Sequence, residues 1–134
     1  MSSQPVPQEQ ISDEEILSRF ILFKRFIRSD NKSIKADAFI PPSDLNLSVT
    51  ASSQLSEEEI WKIGKDVAEI RSGGELYGRA DLTALNVRSQ NLQAIPAPLP
   101  TNIYHAHVID WPTEKPAQKI IALELANASR FIPF

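Results

Sequence analysis

The chain contains only two histidines, and they stand two positions apart in the segment Tyr104-His105-Ala106-His107. Residues two apart on a β-strand project from the same face, so both imidazoles would converge on one metal ion or one phosphate. A metal site needs a third ligand, which Asp81 or Asp110 would have to supply. We take His105, His107 and Asp81 as candidate catalytic residues and expect no metal or cofactor. The alternative is that both histidines are merely exposed.

A second candidate site lies in the segment Tyr77-Gly78-Arg79-Ala80-Asp81. Arg79 and Asp81 would share one face of a strand, where they either pair with each other or leave the guanidinium free to hold an anion. Arg79 and Tyr77 are therefore the candidate ligand-binding residues. The preferred interpretation is a surface ion pair beside a bulge glycine. An anion site is predicted only if this segment meets the two histidines.

Six basic residues lie between positions 19 and 35, interleaved with phenylalanines at 20, 23 and 26. They are Arg19, Lys24, Arg25, Arg28, Lys32 and Lys35. Basic and aromatic side chains in alternation are typical of phosphate contacts combined with base stacking. Arg25 and Arg28 are thus candidate nucleic-acid contacts. The alternative is that the phenylalanines belong to the core.

Three apolar residues are candidate contacts for a protein partner. Leu99 lies in a loop that Pro96, Pro98 and Pro100 stiffen, so the loop loses little conformational entropy on binding. Trp111 precedes the last predicted helix and is expected to anchor that corner by packing. Phe134 ends an apolar C-terminal segment, which we interpret as an edge strand or a docking tail.

Composition limits the possible classes of protein. The chain has 134 residues, no cysteine and a net charge of −3. These values exclude disulfides, thiolate catalysis and a general attraction to nucleic acid. No run approaches the ~20 apolar residues of a membrane span. We expect a disordered leader at residues 1–10, a single domain at 11–134 and a cytoplasmic location. Neither a phosphate-binding glycine loop nor a nucleophile elbow is present.

The best-supported element is a helix that begins at Ser56. Ser56 and Glu59 form a capping-box pattern, in which a hydroxyl and a carboxylate satisfy free backbone N–H groups. Four apolar residues follow at helical spacing: Ile60, Ile63, Val67 and Ile70. Two consecutive glycines, at 73 and 74, are expected to end the helix.

Ser12 and Glu15 form a second capping-box pattern and predict another helix near the N-terminus. Its periodicity fails after Phe20, because residues 21–23 form a continuous apolar run. Either this helix is deeply buried or it gives way to a strand near Ile21.

The other elements are short. Strands are predicted at residues 45–49, 76–82, 92–95 and 103–109, a short helix from Thr83 to Asn91, and a last helix at 114–128. Helices and strands do not alternate regularly. This favours an α+β fold with a mostly antiparallel sheet of three to five short strands, packed with three or four helices.

Several segments resemble a family of small, stand-alone bacterial proteins of uncharacterised function. They are residues 38–41, 47–49, 59–61, 77–82, 105–107 and 111–112. The resemblance covers residues 14–128. It implies a bacterial single-domain protein and assigns no activity, cofactor or partner.

The leading hypothesis is a non-enzymatic adaptor that docks on a larger protein partner. The second is an enzyme or ligand-binding domain for a phosphate-bearing substrate, with His105 or His107 as acid or base and Arg79 as anion clamp. The third is nucleic-acid binding through residues 19–35. Whether Arg79 and the histidines meet in space separates the first two.

Overall fold

The structure is a computed structural model that describes residues 10–30 and 32–134. Apart from Gln10, the leader predicted at residues 1–10 lies outside the described residues. The strands are β1 (Ile16–Ile21), β2 (Leu47–Ala51), β3 (Gly78–Thr83), β4 (Gln93–Pro96), β5 (His105–Ile109) and β6 (Arg130–Pro133). The α-helices are α1 (Glu57–Arg71), α2 (Ala84–Arg88) and α3 (Lys115–Ala128), and 3-10 turns form at Lys24–Phe26 and Ala36–Phe39.

All six strands form one antiparallel sheet in the order β4-β5-β2-β1-β3-β6. The predicted α+β class is confirmed. The predicted number of strands, three to five, is too low. Within the described part of the chain, three α-helices accompany the sheet. The additional strand is β1, from the N-terminal segment that was predicted to be helical. The C-terminal segment, predicted as an edge strand or a docking tail, forms the edge strand β6.

The two faces of the sheet are covered differently. One face carries the main core, where Leu17, Val49 and Val108 pack with Leu125 of α3 and Phe39 of a 3-10 turn. The opposite face is covered over β1 and β3 by α1, which approaches so closely that a Cβ at Gly64 would lie 2.7 Å from the ring of Phe20. This second face also carries Arg79, Asp81 and both histidines.

The predicted N-terminal helix is wrong, because residues 16–21 form β1. This strand lies between β2 and β3 and is covered on both faces, so its apolar residues, Ile16, Leu17, Phe20 and Ile21, do not follow the alternation of a half-exposed strand. Glu15 does not close a capping box with Ser12. Its carboxylate accepts the Ser53 N–H at 2.8 Å, and the Ser53 Oγ accepts the Ile16 N–H at 2.8 Å. These bonds join β1 to the end of β2.

The predicted capping box of α1 is confirmed. The Glu59 N–H donates to Ser56 Oγ at 3.1 Å and the Ser56 N–H donates to Glu59 Oε1 at 3.0 Å. The predicted apolar stripe is only partly correct, since Ile70 is 78% exposed. The buried residues of α1 are Ile60, Gly64 and Ala68, and Ile70 lies about 120° around the helix from the centre of that face.

Thr83 begins the short helix α2, as predicted, and accepts the N–H of Asn86 at 3.2 Å. Asn91, the predicted end of this helix, lies beyond the last turn with φ of 61°, a conformation that asparagine tolerates.

Each of the two edge strands, β4 and β6, ends in a proline whose backbone nitrogen points away from the sheet. The Phe134 N–H donates to Tyr77 O at 3.1 Å, so the alternate residue Pro133 faces away from β3. The same alternation turns Pro96 outward on β4, because the Ala97 N–H bonds across to β5. Proline has no N–H, which makes either edge a poor template for another strand.

Of the helices in the described residues, none combines the length and the apolar character that crossing a bilayer requires.

Candidate functional site

Arg79 is the centre of a buried charged cluster. Its side chain is only 3% exposed and contacts two carboxylates. Nη1 and Nη2 donate to the two oxygens of Glu57 at 3.0 and 2.7 Å, and Nε donates to the oxygens of Asp81 at 3.2 and 3.1 Å. The guanidinium also lies 4.7 Å from the ring centroid of Trp61. The sequence-based preference for an ion pair between Arg79 and Asp81 agrees with this geometry, but the pair is enclosed by α1.

The cluster extends across the sheet through hydroxyl groups. Ser18 on β1 donates to Asp81 Oδ1 at 2.6 Å, and the Ser18 and Ser52 hydroxyls are 2.8 Å apart. Ser18 is fully buried and Ser52 almost so. Since buried polar groups are costly unless they are hydrogen-bonded, this series of hydrogen bonds fixes the positions of Arg79 and Asp81.

The charges of the cluster stabilise one another. The hydrogen bond from Arg79 lowers the pKa of Glu57 from its ordinary value, even though burial acts in the opposite direction. For Arg79, burial alone would lower the pKa, but the bonds to Glu57 and the nearby Asp81 outweigh it and raise the pKa. An anionic ligand at Arg79 would therefore have to displace Glu57, whose side chain is 67% exposed.

Tyr77 is not part of this cluster in the structure. It immediately precedes β3, is half-buried and packs against the main core. Its carbonyl accepts the Phe134 N–H at 3.1 Å.

The two histidines lie on the same sheet face as Arg79, but on β5. His105 faces Thr50 of β2 and His107 faces Ser48, and the imidazole centroids are 5.0 Å apart in an edge-to-face arrangement. Both rings are half-buried. His105 Nδ1 lies 2.8 Å from Ala97 O. A carbonyl only accepts, so Nδ1 carries the proton and Nε2 of the neutral ring is free to accept.

His107 favours its neutral form. Burial lowers its pKa, the nearby His105 lowers it further, and Asp44 acts in the opposite direction. His107 is therefore uncharged at pH 7. Within the described residues, no group of three or more His, Asp or Glu side chains is arranged to hold a metal ion.

The strand register gives the separation of the two clusters. The row His105–Thr50–Ser18–Asp81 crosses β5, β2, β1 and β3 in that order. Three interstrand steps of about 4.8 Å place His105 roughly 14 Å from Asp81. The structure thus puts Arg79, Asp81 and both histidines on one face while separating them into two clusters, too far apart to hold one small ligand together.

A third feature is the basic loop, residues 23–35, in which Asn31 is not described. It folds back on itself through an antiparallel bridge between Ile27 and Ile34, and Ile34 is only 1% exposed. Lys24, Arg25, Arg28, Lys32 and Lys35 are all exposed. None of these five forms an ion pair with an acidic side chain of the described residues.

Arg25 lies over two aromatic rings of this loop. Its guanidinium is 4.3 Å from the Phe23 centroid and 5.1 Å from that of Phe26, and the two rings meet edge to face at 5.3 Å. Phe26 and Ile27 pack against the main core, whereas Phe23 is 36% exposed. The core therefore holds the loop in place while its cations face solvent.

The three predicted partner contacts differ in exposure. Leu99 is 43% exposed, in a tight turn closed by two backbone hydrogen bonds with Asn102. Phe134 is 55% exposed and packs on Trp61, with centroids 5.1 Å apart. Trp111 is only 5% exposed and donates from Nε1 to Val108 O at 3.0 Å. It is the packing anchor that its position suggested, and it is not available on the surface.

Sequence reasoning missed Glu57 and Trp61 as partners of Arg79. Glu57 lies in the first turn of α1, where an acidic residue is favoured by the helix dipole alone. Its pairing with a residue 22 positions away leaves no local pattern in the sequence.

Comparison of the chain with protein-family models, curated proteins and solved structures found no match.

Proposed function

We propose that this protein is a non-enzymatic interaction domain that binds an acidic segment of a partner protein through the basic loop. The observation that carries the proposal is a set of five exposed cations on a loop that the core anchors. None of the five forms an ion pair with an acidic side chain in the described part of the chain. Exposed charge of one sign steers a partner of opposite charge and fixes its register.

The groups suited to chemistry support binding over catalysis. Arg79 is occupied by Glu57 and Asp81, so its guanidinium is not free to stabilise a developing negative charge. His105 has a free Nε2, yet it lies roughly 14 Å from Asp81, so the two do not form an acid–base pair. The histidine pair remains a second candidate site, favoured by the fixed tautomer of His105.

The distribution of charge favours an acidic protein segment over nucleic acid. The basic loop carries a net charge of +4 and the whole chain −3, so the other residues carry −7. A long polyanion would be repelled outside the loop, whereas a short acidic segment meets only the loop, within one Debye length of about 8–10 Å. Arg25 also covers one face of Phe23, a face that a stacked base would need.

The test uses fluorescence anisotropy with two labelled probes, a short peptide rich in aspartate and glutamate and a single-stranded oligonucleotide of equal charge. We expect the full chain to bind the peptide more tightly. Arg25→Glu/Arg28→Glu should weaken peptide binding at least about tenfold, because each exposed ion pair contributes about 0.2–1 kcal/mol and reversal adds repulsion.

The matched control is Lys62→Glu/Lys119→Glu, which makes the same charge change at exposed positions on α1 and α3. This control and His105→Gln/His107→Gln should leave peptide binding within about twofold of wild type. Tighter binding of the oligonucleotide, lost on Arg25→Glu/Arg28→Glu, would replace the proposal with nucleic-acid binding. Equal weakening by the lysine control would overturn the role of the loop.

A further inference from the structure

Both histidines lie on the second face of the sheet, outside the part that α1 covers. The contacts of α1 on this face are with β1 and β3, whereas His105 and His107 belong to β5, between β2 and β4. Strand pairing on both sides fixes the backbone of β5. Both imidazole rings are only half-buried, so they are accessible from solvent while their backbone is held in place.

His105 is oriented by a backbone contact in the way that metal-binding histidines usually are. Its Nδ1 donates to Ala97 O at 2.8 Å, which leaves Nε2 with a free lone pair. Histidines that bind metal ions almost always donate their other ring N–H to a carbonyl or a carboxylate, because this bond fixes the tautomer and the ring orientation. His105 already makes this outer contact.

His107 lies within reach of the same ion. In the described part of the chain, the one hydrogen bond of a histidine ring belongs to His105, so both ring nitrogens of His107 are free. The fully enclosed side-chain atom without a partner there is Gln118 Oε1, so the free histidine nitrogens reach solvent.

The two ring centroids are 5.0 Å apart and the ring planes are nearly perpendicular. A zinc ion lies about 2.0–2.1 Å from each imidazole nitrogen that binds it, so an ion between the two rings can contact both. The His107 ring has to turn toward the ion, and no hydrogen bond to a described residue opposes this rotation.

We propose that His105 and His107 together bind one divalent transition-metal ion of the copper, nickel or zinc kind. Imidazole nitrogens suit these ions, whereas Mg²⁺ and Ca²⁺ take oxygen ligands. Among the described residues, no carboxylate joins the pair to make a group of three ligands. Water therefore completes the coordination, and the ion is presented to solvent.

This site is independent of the basic loop. Neither histidine lies in residues 23–35, and the two sites use different chemistry. Failure of the acidic peptide to bind the loop therefore does not bear on metal binding, and failure of metal binding does not bear on the peptide.

The test follows the ring signals of both histidines by long-range ¹H–¹⁵N NMR while ZnCl₂ is added to the full chain. We expect both rings to respond and the change to end at one Zn²⁺ per chain. Nε2 should be the coordinating nitrogen of His105, because Nδ1 keeps its proton. MgCl₂ at the same concentration should leave both rings unchanged. A response of one ring alone, or an equal response to MgCl₂, would overturn the site.

Two variants test whether the pair acts together. His107→Gln removes one ligand and should weaken Zn²⁺ binding at least about tenfold, since changing even an outer contact of a metal ligand costs about 10–100-fold. The matched control is His107→Gln/Ile109→His, which keeps two histidines on the same face of β5 but four positions apart, roughly 13 Å along the strand. This control should bind no more tightly than His107→Gln.

The backbone amide spectrum verifies that each variant keeps the native fold before its affinity is measured. Wild-type affinity for Zn²⁺ in either variant would show that the two histidines do not share an ion and would overturn the proposal. The titration of the wild-type chain does not depend on either variant being folded.

Discussion

Replacing Arg79 with methionine tests whether the buried charged cluster holds α1 on the sheet. The substitution keeps an apolar side chain of similar length beside Trp61 but removes every donor to Glu57 and Asp81. Asp81 is only 16% exposed and would keep the single hydrogen bond from Ser18. The variant therefore leaves a largely buried carboxylate without a counter-charge.

The size of the effect follows from the exposure of the two carboxylates. Breaking a buried ion pair from one side costs about 3–5 kcal/mol, and the partial exposure of Asp81 favours the lower end. Loss of the cation–π contact with Trp61 adds about 0.5–1 kcal/mol. Glu57 is 67% exposed, so Glu57→Gln alone should cost about 1 kcal/mol or less. We expect Arg79→Met to lower the free energy of unfolding by about 3–4 kcal/mol.

Urea unfolding followed by tryptophan fluorescence measures this difference. With a denaturant slope of about 2 kcal/mol/M, the midpoint should fall by about 1.5–2 M. The matched double variant, Arg79→Met/Asp81→Asn, removes the uncompensated charge and should be more stable than Arg79→Met alone. A loss below about 1 kcal/mol for Arg79→Met, or a double variant as unstable as the sum of the two single changes, would refute the reasoning.

Three further predictions concern single residues. The folded state lowers the pKa of His107, so the unfolded chain binds a proton more readily and the free energy of unfolding should fall as pH drops below about 6.5. In urea midpoints measured from pH 5 to 8, His107→Gln should flatten this fall. Gly64→Ala should lower the thermal midpoint, because the new methyl group would lie 2.7 Å from the Phe20 ring and such crowding costs about 1–3 kcal/mol. The control Ile70→Ala, at a 78% exposed position, should change the thermal midpoint little. Folding lowers the pKa of Glu57, so the stability that its carboxylate contributes is present above the unfolded pKa of about 4.3 and is lost as pH falls through the folded pKa. The difference in unfolding free energy between wild type and Glu57→Gln should therefore vanish in acid, and a constant difference down to pH 3 would contradict this prediction.

The sequence correctly predicted the helix starts that are marked by residues close together in the chain. Ser56 with Glu59 marks the start of α1, and Thr83 marks the start of α2, because each cap is made by atoms within three residues of one another. The pairing of Arg79 with Asp81 was also accessible, since residues two apart on a strand share a face. In each case the partners are neighbours in the sequence.

The helix predicted near the N-terminus was wrong because the contacts that decide this segment are distant in the sequence. Ser12 and Glu15 have the spacing of a capping box, but Glu15 bonds to Ser53, 38 residues away. A strand covered on both faces loses the alternation that identifies a half-buried strand, so nothing local distinguishes β1 from a buried helix. Only the pairing with β2 and β3 makes this segment a strand.

The two histidines show the same division between local and long-range information. Their spacing determined that they share a face if they lie on a strand. The residue types alone indicated that Arg79 pairs with a carboxylate. The order of the strands decided the rest, because β1 and β2 lie between β3 and β5 and separate Asp81 from His105. Beyond the last β1–β2 pair, Arg19 Nη1 likewise donates to Ser48 O at 3.0 Å, a contact between residues 29 positions apart. Strand order and register depend on contacts between distant segments, so these distances exist only in the folded chain.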